Sequence, residues 1–217
     1  MAKLISKKPI YWHCDCGKTE VKGKQRITII AMRHAESQHN VLGVVNGDPK
    51  RQFHITVKGK KQAVELAKKL KAKDISAIIA SQMQRTQDTA APLAKQKKLK
   101  IQIDPRLNDI GTGKLEGINI LEFRRLTNNV NKSVKGSETA PHIAKRLKSF
   151  LKDVMKYYSG KTITIVSSEV ILHSLRQIVA GKESNENIGA HLKNAAPYEF
   201  TIQGPVFCKS CGDRCEV

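Results

Sequence analysis

The sequence predicts an α/β fold, a three-layer sandwich in which helices cover both faces of a mainly parallel central sheet. Short apolar runs at residues 27–32, 75–80, 101–103 and 163–167 have the composition of buried strands. The first and last of them lack the polar alternation of a strand with one solvated face. Helical patterns lie between these runs, and such alternation is typical of parallel strands joined by right-handed crossovers.

Three segments carry apolar residues at the spacing of a helix that buries one face. The first follows Thr56, a residue type that caps helix N-termini, and its apolar stripe is Ala63, Leu66, Ala67 and Leu70. The second follows residues 137–139, and the third covers residues 170–180 and ends before Gly181. Ligands of such sheets bind beyond the carboxyl ends of the strands, so functional residues are expected there.

The chain is strongly basic. Its 217 residues include 39 Lys and Arg against 19 Asp and Glu, which gives a net charge of +20. Such a surface attracts anions, so nucleic acid, anionic lipid and phosphorylated metabolites are admissible partners, and an ordinary lysine-rich surface explains the charge equally well. The length predicts one sizeable core. No apolar run reaches the roughly 18 residues of a membrane span and no segment resembles a signal peptide, so we expect a cytoplasmic protein without membrane contact.

The most informative segment follows the first predicted strand and contains Arg33, His34 and Asn40. An arginine, an imidazole and an amide gathered where a buried strand opens into a loop suit one task, which is to hold a phosphate while the imidazole attacks phosphorus. The alternative is a loop whose polar residues only satisfy backbone groups. Phosphoryl chemistry is therefore the leading hypothesis.

Two further polar clusters follow the next two predicted strands. Arg85 falls in the first turn of a helix that starts within residues 81–90, where its guanidinium can reach a phosphate at the sheet edge. Asp109 lies in a glycine-rich turn at residues 106–117. The alternatives are a surface arginine and a turn aspartate that bonds its own backbone. Three strand ends thus carry complementary chemistry.

Together these segments resemble the histidine phosphatase superfamily, which also contains the phosphoglycerate mutases. The resemblance covers residues 26–204, between an N-terminal basic segment at 1–25 and a C-terminal segment at 205–217. Residues 33–37 match the family signature, with Ala35 where glycine is usual, and Asn40 falls on its asparagine. Residues 55–63, 81–90 and 107–117 are similar to its later motifs, as are Gly136, Glu138, Arg146 and residues 194–200.

The resemblance implies a covalent mechanism without a catalytic cofactor. His34 would attack phosphorus to give a phosphohistidine that water then cleaves. Arg33, Arg85 and Asn40 would hold the phosphoryl oxygens, and Asp109 would protonate the leaving oxygen. The implied substrate is a phosphomonoester, either a phosphorylated small molecule or a phosphoprotein.

The chain departs from the family where a second histidine followed by glycine is expected, because Ser168 and Glu169 stand there. Ser168 can bind substrate through a hydrogen bond but brings no charge, so reduced activity is expected. Glu169 is expected to repel the substrate, to orient a water or to pair with a lysine. Three other histidines could substitute for the missing one, although each is expected to be structural or exposed: His39, His54 and His173.

Two alternatives to a phosphohydrolase remain. A degenerate relative would bind a phosphorylated ligand or nucleic acid without turnover, but such a protein has no need of both a nucleophile and an acid. A mutase is less favoured, because only about 19 residues separate Gly117 from Gly136, where the mutases carry a longer substrate-covering insertion.

All five cysteines lie near the two ends of the chain. Cys14 and Cys16 precede Gly17, and Cys208 and Cys211 precede Gly212, so each pair resembles a zinc knuckle. Four thiolates would complete a structural zinc site that joins the termini in a small terminal element. Disulfides or free thiols are the alternatives, and a cytoplasmic location argues against disulfides. Two further residues could replace one of these ligands, namely His13 and Cys215.

Overall fold

A computed structural model describes residues 25–179 and 192–204 of the chain. Its strands are β1 (Gln25–Arg33), β2 (Ala77–Ala80), β3 (Ile101–Ile103), β4 (Thr162–Ser167) and β5 (Pro197–Gly204). They form one sheet in the order β3-β2-β4-β1-β5. Neighbours among β1 to β4 run parallel, and β5 pairs antiparallel with β1. The mainly parallel sheet is confirmed, while the antiparallel edge strand was not predicted.

The helices are α1 (Gln38–Leu42), α2 (Val57–Lys69), α3 (Gln84–Lys97), α4 (Ile120–Leu126), α5 (Ala140–Tyr157) and α6 (Glu169–Val179). Two short 3-10 turns cover Pro105–Leu107 and Gly113–Leu115. Thr56 caps α2 as expected, because its Oγ1 accepts a hydrogen bond of 3.0 Å from the backbone N–H of Gly59. α1 and α4 were not predicted, since five and seven residues are too few to show a helical period.

Alternate residues of the strands pack against opposite faces of the sheet, which makes the three layers. Ile27 and Ile29 of β1 belong to a core that includes α5 and α6, whereas Ile30 and Met32 belong to a second core with α2 and α3. The predicted apolar stripe of α2 is buried in this second core: Ala63, Leu66, Ala67 and Leu70. The burial of both faces explains why the β1 and β4 sequences show no polar alternation.

The carboxyl ends of the parallel strands meet at one edge of the sheet. The backbone N–H of His34, just after β1, donates to the carbonyl of Ser167 at the end of β4 (3.0 Å). The N–H of Asp104, just after β3, donates to the carbonyl of Ala80 at the end of β2 (2.9 Å). The segments with candidate functional residues therefore leave the sheet side by side.

Some predictions fall on residues outside the described part of the chain. These are the cysteine pairs, His13, Cys215 and the predicted end of the third helix before Gly181. The division into residues 1–25, 26–204 and 205–217 likewise stays a prediction. Within residues 25–179 and 192–204, no helix has the length and apolar character needed to cross a membrane.

Candidate active site

His34 lies in a loop that the surrounding backbone holds firmly. The Asn194 side-chain amide donates to the His34 carbonyl (2.8 Å), and the next residue, Ala35, donates from its N–H to Thr89 Oγ1 (2.9 Å). A side chain at Gly59 would place its Cβ 2.1 Å from the Glu36 carbonyl oxygen, so α2 approaches this loop closely only because glycine stands there. The position of His34 is thus set by α2, α3 and the segment before β5.

The tautomer of His34 follows from one hydrogen bond. Nδ1 lies 2.8 Å from the carbonyl oxygen of Ala35. A carbonyl oxygen can only accept, so Nδ1 carries the proton and Nε2 keeps its lone pair. Burial, the charge of Arg85 and further charges at His39 and Arg33 hold the pKa of His34 well below its ordinary value. The imidazole is therefore neutral at physiological pH, as a nucleophile must be.

His34 lines a cavity of about 170 Å³ at the carboxyl edge of the sheet. The cavity also contains most of the residues that the sequence singled out: Arg33, Asn40, Asp109, Ser168 and Glu169. The rest of its wall is mainly apolar and comes from the loop after α1, from α4 and from the turn after α4. Residues as far apart in the chain as Arg33 and Glu169 thus share one cavity.

Arg85 is fully buried and is not among the residues that line the cavity. Its terminal nitrogens donate to Asn46 Oδ1 (2.5 Å), to the Asn46 carbonyl (3.1 Å) and to Asp109 Oδ2 (2.8 Å). Its Nε has no hydrogen-bond partner among the described residues. Asn46 is therefore a residue of the site that the sequence reasoning missed, since an asparagine before a loop glycine carries no distinctive signal.

The loop of Asn46 packs directly on the loop of Asp109. Glu116 accepts hydrogen bonds from Asn46 Nδ2 (2.9 Å) and from the N–H of Gly47 (2.8 Å). A Cβ at Gly47 would stand 2.0 Å from the Ile110 carbonyl oxygen, so this contact requires glycine. The two loops consequently hold Arg85 from both sides.

Arg33 forms an ion pair with Glu169, a partner that was not predicted from the sequence. The distance from Arg33 Nη1 to Glu169 Oε2 is 3.1 Å, and both side chains are largely buried. Nη1 also donates to the Leu192 carbonyl (2.6 Å), while the Leu192 N–H donates to Glu169 Oε1 (3.0 Å). The buried Nε of Arg33 has no partner in the described part of the chain.

The Asp109 carboxylate accepts three hydrogen bonds. They come from Ser168 Oγ (2.7 Å) and the Ile110 N–H (2.8 Å) to Oδ1, and from Arg85 to Oδ2. The backbone contact expected of a turn aspartate is present, since Asp109 accepts from the N–H of Ile110, and the same side chain also faces the cavity. These donors from three separate elements fix the orientation of the carboxyl group in the free site.

An ion pair fixes the loop that carries Asp109. Arg146 Nε donates to Glu138 Oε1 (2.8 Å), and the Gly111 N–H donates to Glu138 Oε2 (3.0 Å). Arg146 also donates to the carbonyl of Asp109 (3.3 Å). Glu138 and Arg146, which the resemblance singled out by spacing, therefore act on the backbone around the acid.

Asn40 is oriented by Ser37 and His39. The Ser37 N–H donates to Asn40 Oδ1 (3.1 Å), so the other end of the amide is the NH₂ group. That group lies 3.1 Å from His39 Nε2, which must accept and is therefore unprotonated. Burial, followed by the charge of Arg85, lowers the pKa of His39 to about 3 and keeps this acceptor available.

The three histidines considered as substitutes lie in different surroundings. The His39 ring lines the cavity, and its centroid is 5.3 Å from that of His34. The exposed His54 ring contacts Asp88 (2.9 Å), and His173 is buried in α6. Neither His54 nor His173 lines the cavity.

The site thus contains a neutral buried histidine after the first strand of an α/β sheet, and its cavity also holds an arginine and a carboxylate. This arrangement is expected of an enzyme that transfers phosphoryl groups through a histidine. The chain belongs to the histidine phosphatase superfamily (branch 1), whose family model matches residues 29–207. The family predicted from the sequence is thereby confirmed.

Several relatives within this superfamily are phosphatases. The chain is 31% identical over 160 residues to phosphoserine phosphatase 1 of Hydrogenobacter thermophilus. The matched region covers 69% of this chain and 74% of that protein. Its fold matches a phosphoserine phosphatase from Entamoeba histolytica with a TM-score of 0.69 and 22% identity, over 80% of this chain and 89% of that one. The alpha-ribazole phosphatase of Shigella flexneri matches with a TM-score of 0.69 and 20% identity, over 82% and 93% of the two chains.

Proposed function

We propose that the protein is a phosphohydrolase that cleaves a phosphomonoester through a phosphohistidine at His34. The observation that carries this proposal is the hydrogen bond from His34 Nδ1–H to the Ala35 carbonyl, which leaves Nε2 as a neutral nucleophile. The cavity around His34 also contains a cationic Arg33 and a carboxyl group at Asp109. A histidine that only stabilised the core would not share a cavity with both.

Two unpaired N–H groups support the proposal that arginines donate hydrogen bonds to the phosphoryl oxygens. Arg33 and Arg85 are each held through their terminal nitrogens, and the buried Nε of each has no partner among the described residues. A buried N–H without an acceptor is costly. A phosphoryl oxygen would remove that cost for Arg33, which lines the cavity, and would have to displace the contacts to Asn46 or Asp109 to reach Arg85. The NH₂ group of Asn40 has a second proton besides the one directed at His39, and we propose that it binds the same phosphoryl group.

The reaction proceeds in two displacements. His34 Nε2 bonds to phosphorus while the bond from phosphorus to the leaving oxygen breaks, and Asp109 gives that oxygen a proton. Water then bonds to phosphorus, the P–N bond breaks, and Asp109 takes a proton from the water. The first proton that Asp109 passes to the leaving oxygen can enter with the substrate, because a phosphomonoester monoanion carries one and its second pKa is near 6.

Ser168 has a smaller part than an imidazole at its position would have. Its hydroxyl donates to Asp109 Oδ1, and it lines the cavity beside His34. A serine supplies a hydrogen bond without charge, so less of the transition-state charge is offset. We therefore expect turnover below that of an enzyme with a second histidine at this site.

The substrate class rests on the relatives and on the cavity. Two of the proteins described above are named as phosphatases of small molecules, phosphoserine phosphatase and alpha-ribazole phosphatase. We propose a phosphorylated small molecule for this chain as well. A phosphoprotein substrate would rest on the resemblance alone, and a nucleic-acid partner on the net charge alone. The structural zinc is a separate proposal, which rests on the cysteine pattern.

Trapping the covalent intermediate tests the mechanism. Wild-type protein mixed with a ³²P-labelled aryl phosphate and quenched in alkali is expected to retain label that acid releases, and His34→Ala is expected to retain none. His54→Ala is the matched control, because His54 lies outside the cavity and should leave labelling unchanged. If wild type and His34→Ala were equally inert while both bound inorganic phosphate, the binding-protein alternative would replace this proposal. Transfer of label to a second hydroxy acid rather than to water would instead indicate a mutase.

A further inference from the structure

We infer that the apolar part of the cavity receives a leaving group with an apolar body and one carboxylate, and that Arg124 binds this carboxylate. The inference rests on the proposed function, because it concerns the alcohol that remains when the phosphoryl group departs. It assigns a substrate class, the phosphomonoesters of small apolar hydroxy acids, and names the residue that selects them.

The wall that faces the leaving group is apolar. Besides the polar residues around His34, the cavity is lined by seven apolar side chains: Val44, Val45, Ile110, Ile120, Phe123, Val130 and Val170. Val45, Ile110, Phe123 and Val130 are buried. Water finds few hydrogen-bond partners at such a wall. A leaving group with an apolar body therefore binds there more favourably than a polyhydroxylated one.

Arg124 is the cation of this wall. It is half-buried on α4 and lines the cavity with Asn129. Within residues 25–179 and 192–204 its guanidinium forms no hydrogen bond and no ion pair, whereas Arg106 and Arg146 each pair with carboxylates. An unpaired guanidinium beside an apolar surface suits a planar carboxylate, which it can bind through two parallel hydrogen bonds.

The backbone after α4 has an unusual conformation that helps to form the cavity wall. Asn128, Asn129 and Val130 have φ angles of 47°, 50° and 68°, and a β-branched residue such as Val130 rarely adopts a positive φ. The turn persists because the Ala140 N–H donates to the Val130 carbonyl (2.9 Å) and the Asn129 N–H donates to the Arg124 carbonyl (2.9 Å). Backbone strain of this kind is typical of ligand sites, and here it places Asn129 and Val130 on the cavity wall.

The size of the cavity restricts the leaving group further. Its volume of about 170 Å³ is close to that of an apolar cavity of roughly 150 Å³ that binds benzene. The phosphoryl group takes the polar part of this volume, so one ring or short branched chain is about the largest body that the rest can enclose. A nucleotide or a folded phosphoprotein segment would have to remain largely outside it.

A matched set of aryl phosphates tests the carboxylate. The wild type is expected to hydrolyse 4-carboxyphenyl phosphate with a kcat/KM about tenfold above that for phenyl phosphate, and 4-(aminomethyl)phenyl phosphate more slowly than either. Arg124→Gln is expected to reduce the ratio of the first two values to near one. Arg125→Gln removes the same charge from the exposed neighbouring position and should leave both the ratio and the activity unchanged. Comparing ratios between variants cancels the intrinsic reactivity of each ester.

Binding to the inert His34→Ala protein tests the apolar wall. Phenyl phosphate is expected to bind at least about fivefold more tightly than methyl phosphate in calorimetry, because only the phenyl group fills the apolar part of the cavity. Equal affinities would overturn this half of the inference.

The outcomes separate this inference from the proposed function. Phenyl phosphate could be hydrolysed with the same preference for the carboxyphenyl ester in wild type and in Arg124→Gln. In that case the inference is wrong, and the proposed phosphatase activity is retained. If the wild type hydrolyses none of the esters, the proposed function is wrong, and calorimetry with the same esters still decides the inference. Tighter binding of 4-carboxyphenyl phosphate that depends on Arg124 would then support it, and equal binding would overturn it.

Discussion

The Ser168 hydroxyl donates a hydrogen bond of 2.7 Å to Oδ1 of Asp109, while Arg85 donates to the other oxygen of the same carboxylate. The residue that follows β4, the acid and the second arginine therefore form one hydrogen-bonded unit. In the free site the donor capacity of Ser168 is directed at the acid, and this is the contact that an imidazole at position 168 would replace.

Ser168→His is expected to raise kcat for an aryl phosphate by about a hundredfold, because an imidazolium at this position adds a charged donor to the phosphoryl group. Ser168→Asn is the matched control, since it adds comparable bulk and a donor but no charge, and it should bring no such gain. Steady-state kinetics of both variants check this. A well-folded Ser168→His protein with wild-type kcat would show that other parts of the site limit turnover.

If Arg33 binds phosphate as proposed, its ion pair with Glu169 is expected to compete with that anion for the guanidinium. Glu169→Gln keeps an acceptor for the Leu192 N–H but removes the carboxylate charge, so the inhibition constant of inorganic phosphate is expected to fall about fivefold. Glu65→Gln removes an equal charge from an exposed pair with Lys68 and should leave this constant unchanged. Weaker phosphate inhibition in Glu169→Gln would mean that Glu169 holds Arg33 in its binding position.

Acid should destabilise the fold through His39. Its pKa is lowered to about 3 in the folded protein, whereas the unfolded chain has the ordinary value of about 6.5. The unfolded state therefore binds more protons, and the stability that is fully present above about pH 6.5 is lost as the pH falls towards the folded value. One pH unit below 6.5 this loss is about 1.4 kcal/mol.

Urea unfolding at about pH 7.5 and about pH 5.5 measures this loss. The wild type is expected to lose about 1.4 kcal/mol more of its free energy of unfolding than His39→Gln, which keeps an acceptor for Asn40 but does not titrate. His54→Gln removes an exposed histidine and should lose as much as the wild type. An equal loss in wild type and His39→Gln would contradict the assignment of His39 as a neutral acceptor.

Local patterns in the sequence predicted much of the fold. The apolar run before His34, the cap at Thr56 and the glycine-rich turn around Asp109 are features of neighbouring residues, and the structure contains the strand, the helix and the loop that they indicate. The antiparallel β5 was not predicted, because its place beside β1 is decided by contacts between residues far apart in the chain.

Most residues of the candidate site were predictable from the sequence, but their contacts were not. Spacing brought Arg85 into the prediction, yet its burial behind the cavity depends on Asn46, which lies 39 residues away and has no sequence signature. The pairing of Glu169 with Arg33 likewise requires β1 and β4 to be neighbours, as their parallel register makes them. No local pattern carries information of this kind.

The zinc prediction concerns segments next to two paired residues, Gln25 and Gly204, which lie opposite each other where β1 begins and β5 ends. Cys16 precedes Gln25 by nine residues and Cys208 follows Gly204 by four, so both cysteine segments join the sheet at one place. Plasma mass spectrometry is expected to find one zinc per chain. Cys208→Ser should lose it, and Cys215→Ser should keep it.

Thiol titration separates zinc from disulfides in the same protein. After denaturation with a chelator and without reductant, a zinc site releases five titratable thiols, the full cysteine content, whereas two disulfides would leave one. Because the metal would link segments near opposite ends of the chain, its removal is expected to lower the free energy of unfolding by on the order of 3 kcal/mol, as loss of a cross-link across a long loop does. A metal-free protein with five free thiols and unchanged stability under chelation would rule out both cross-links.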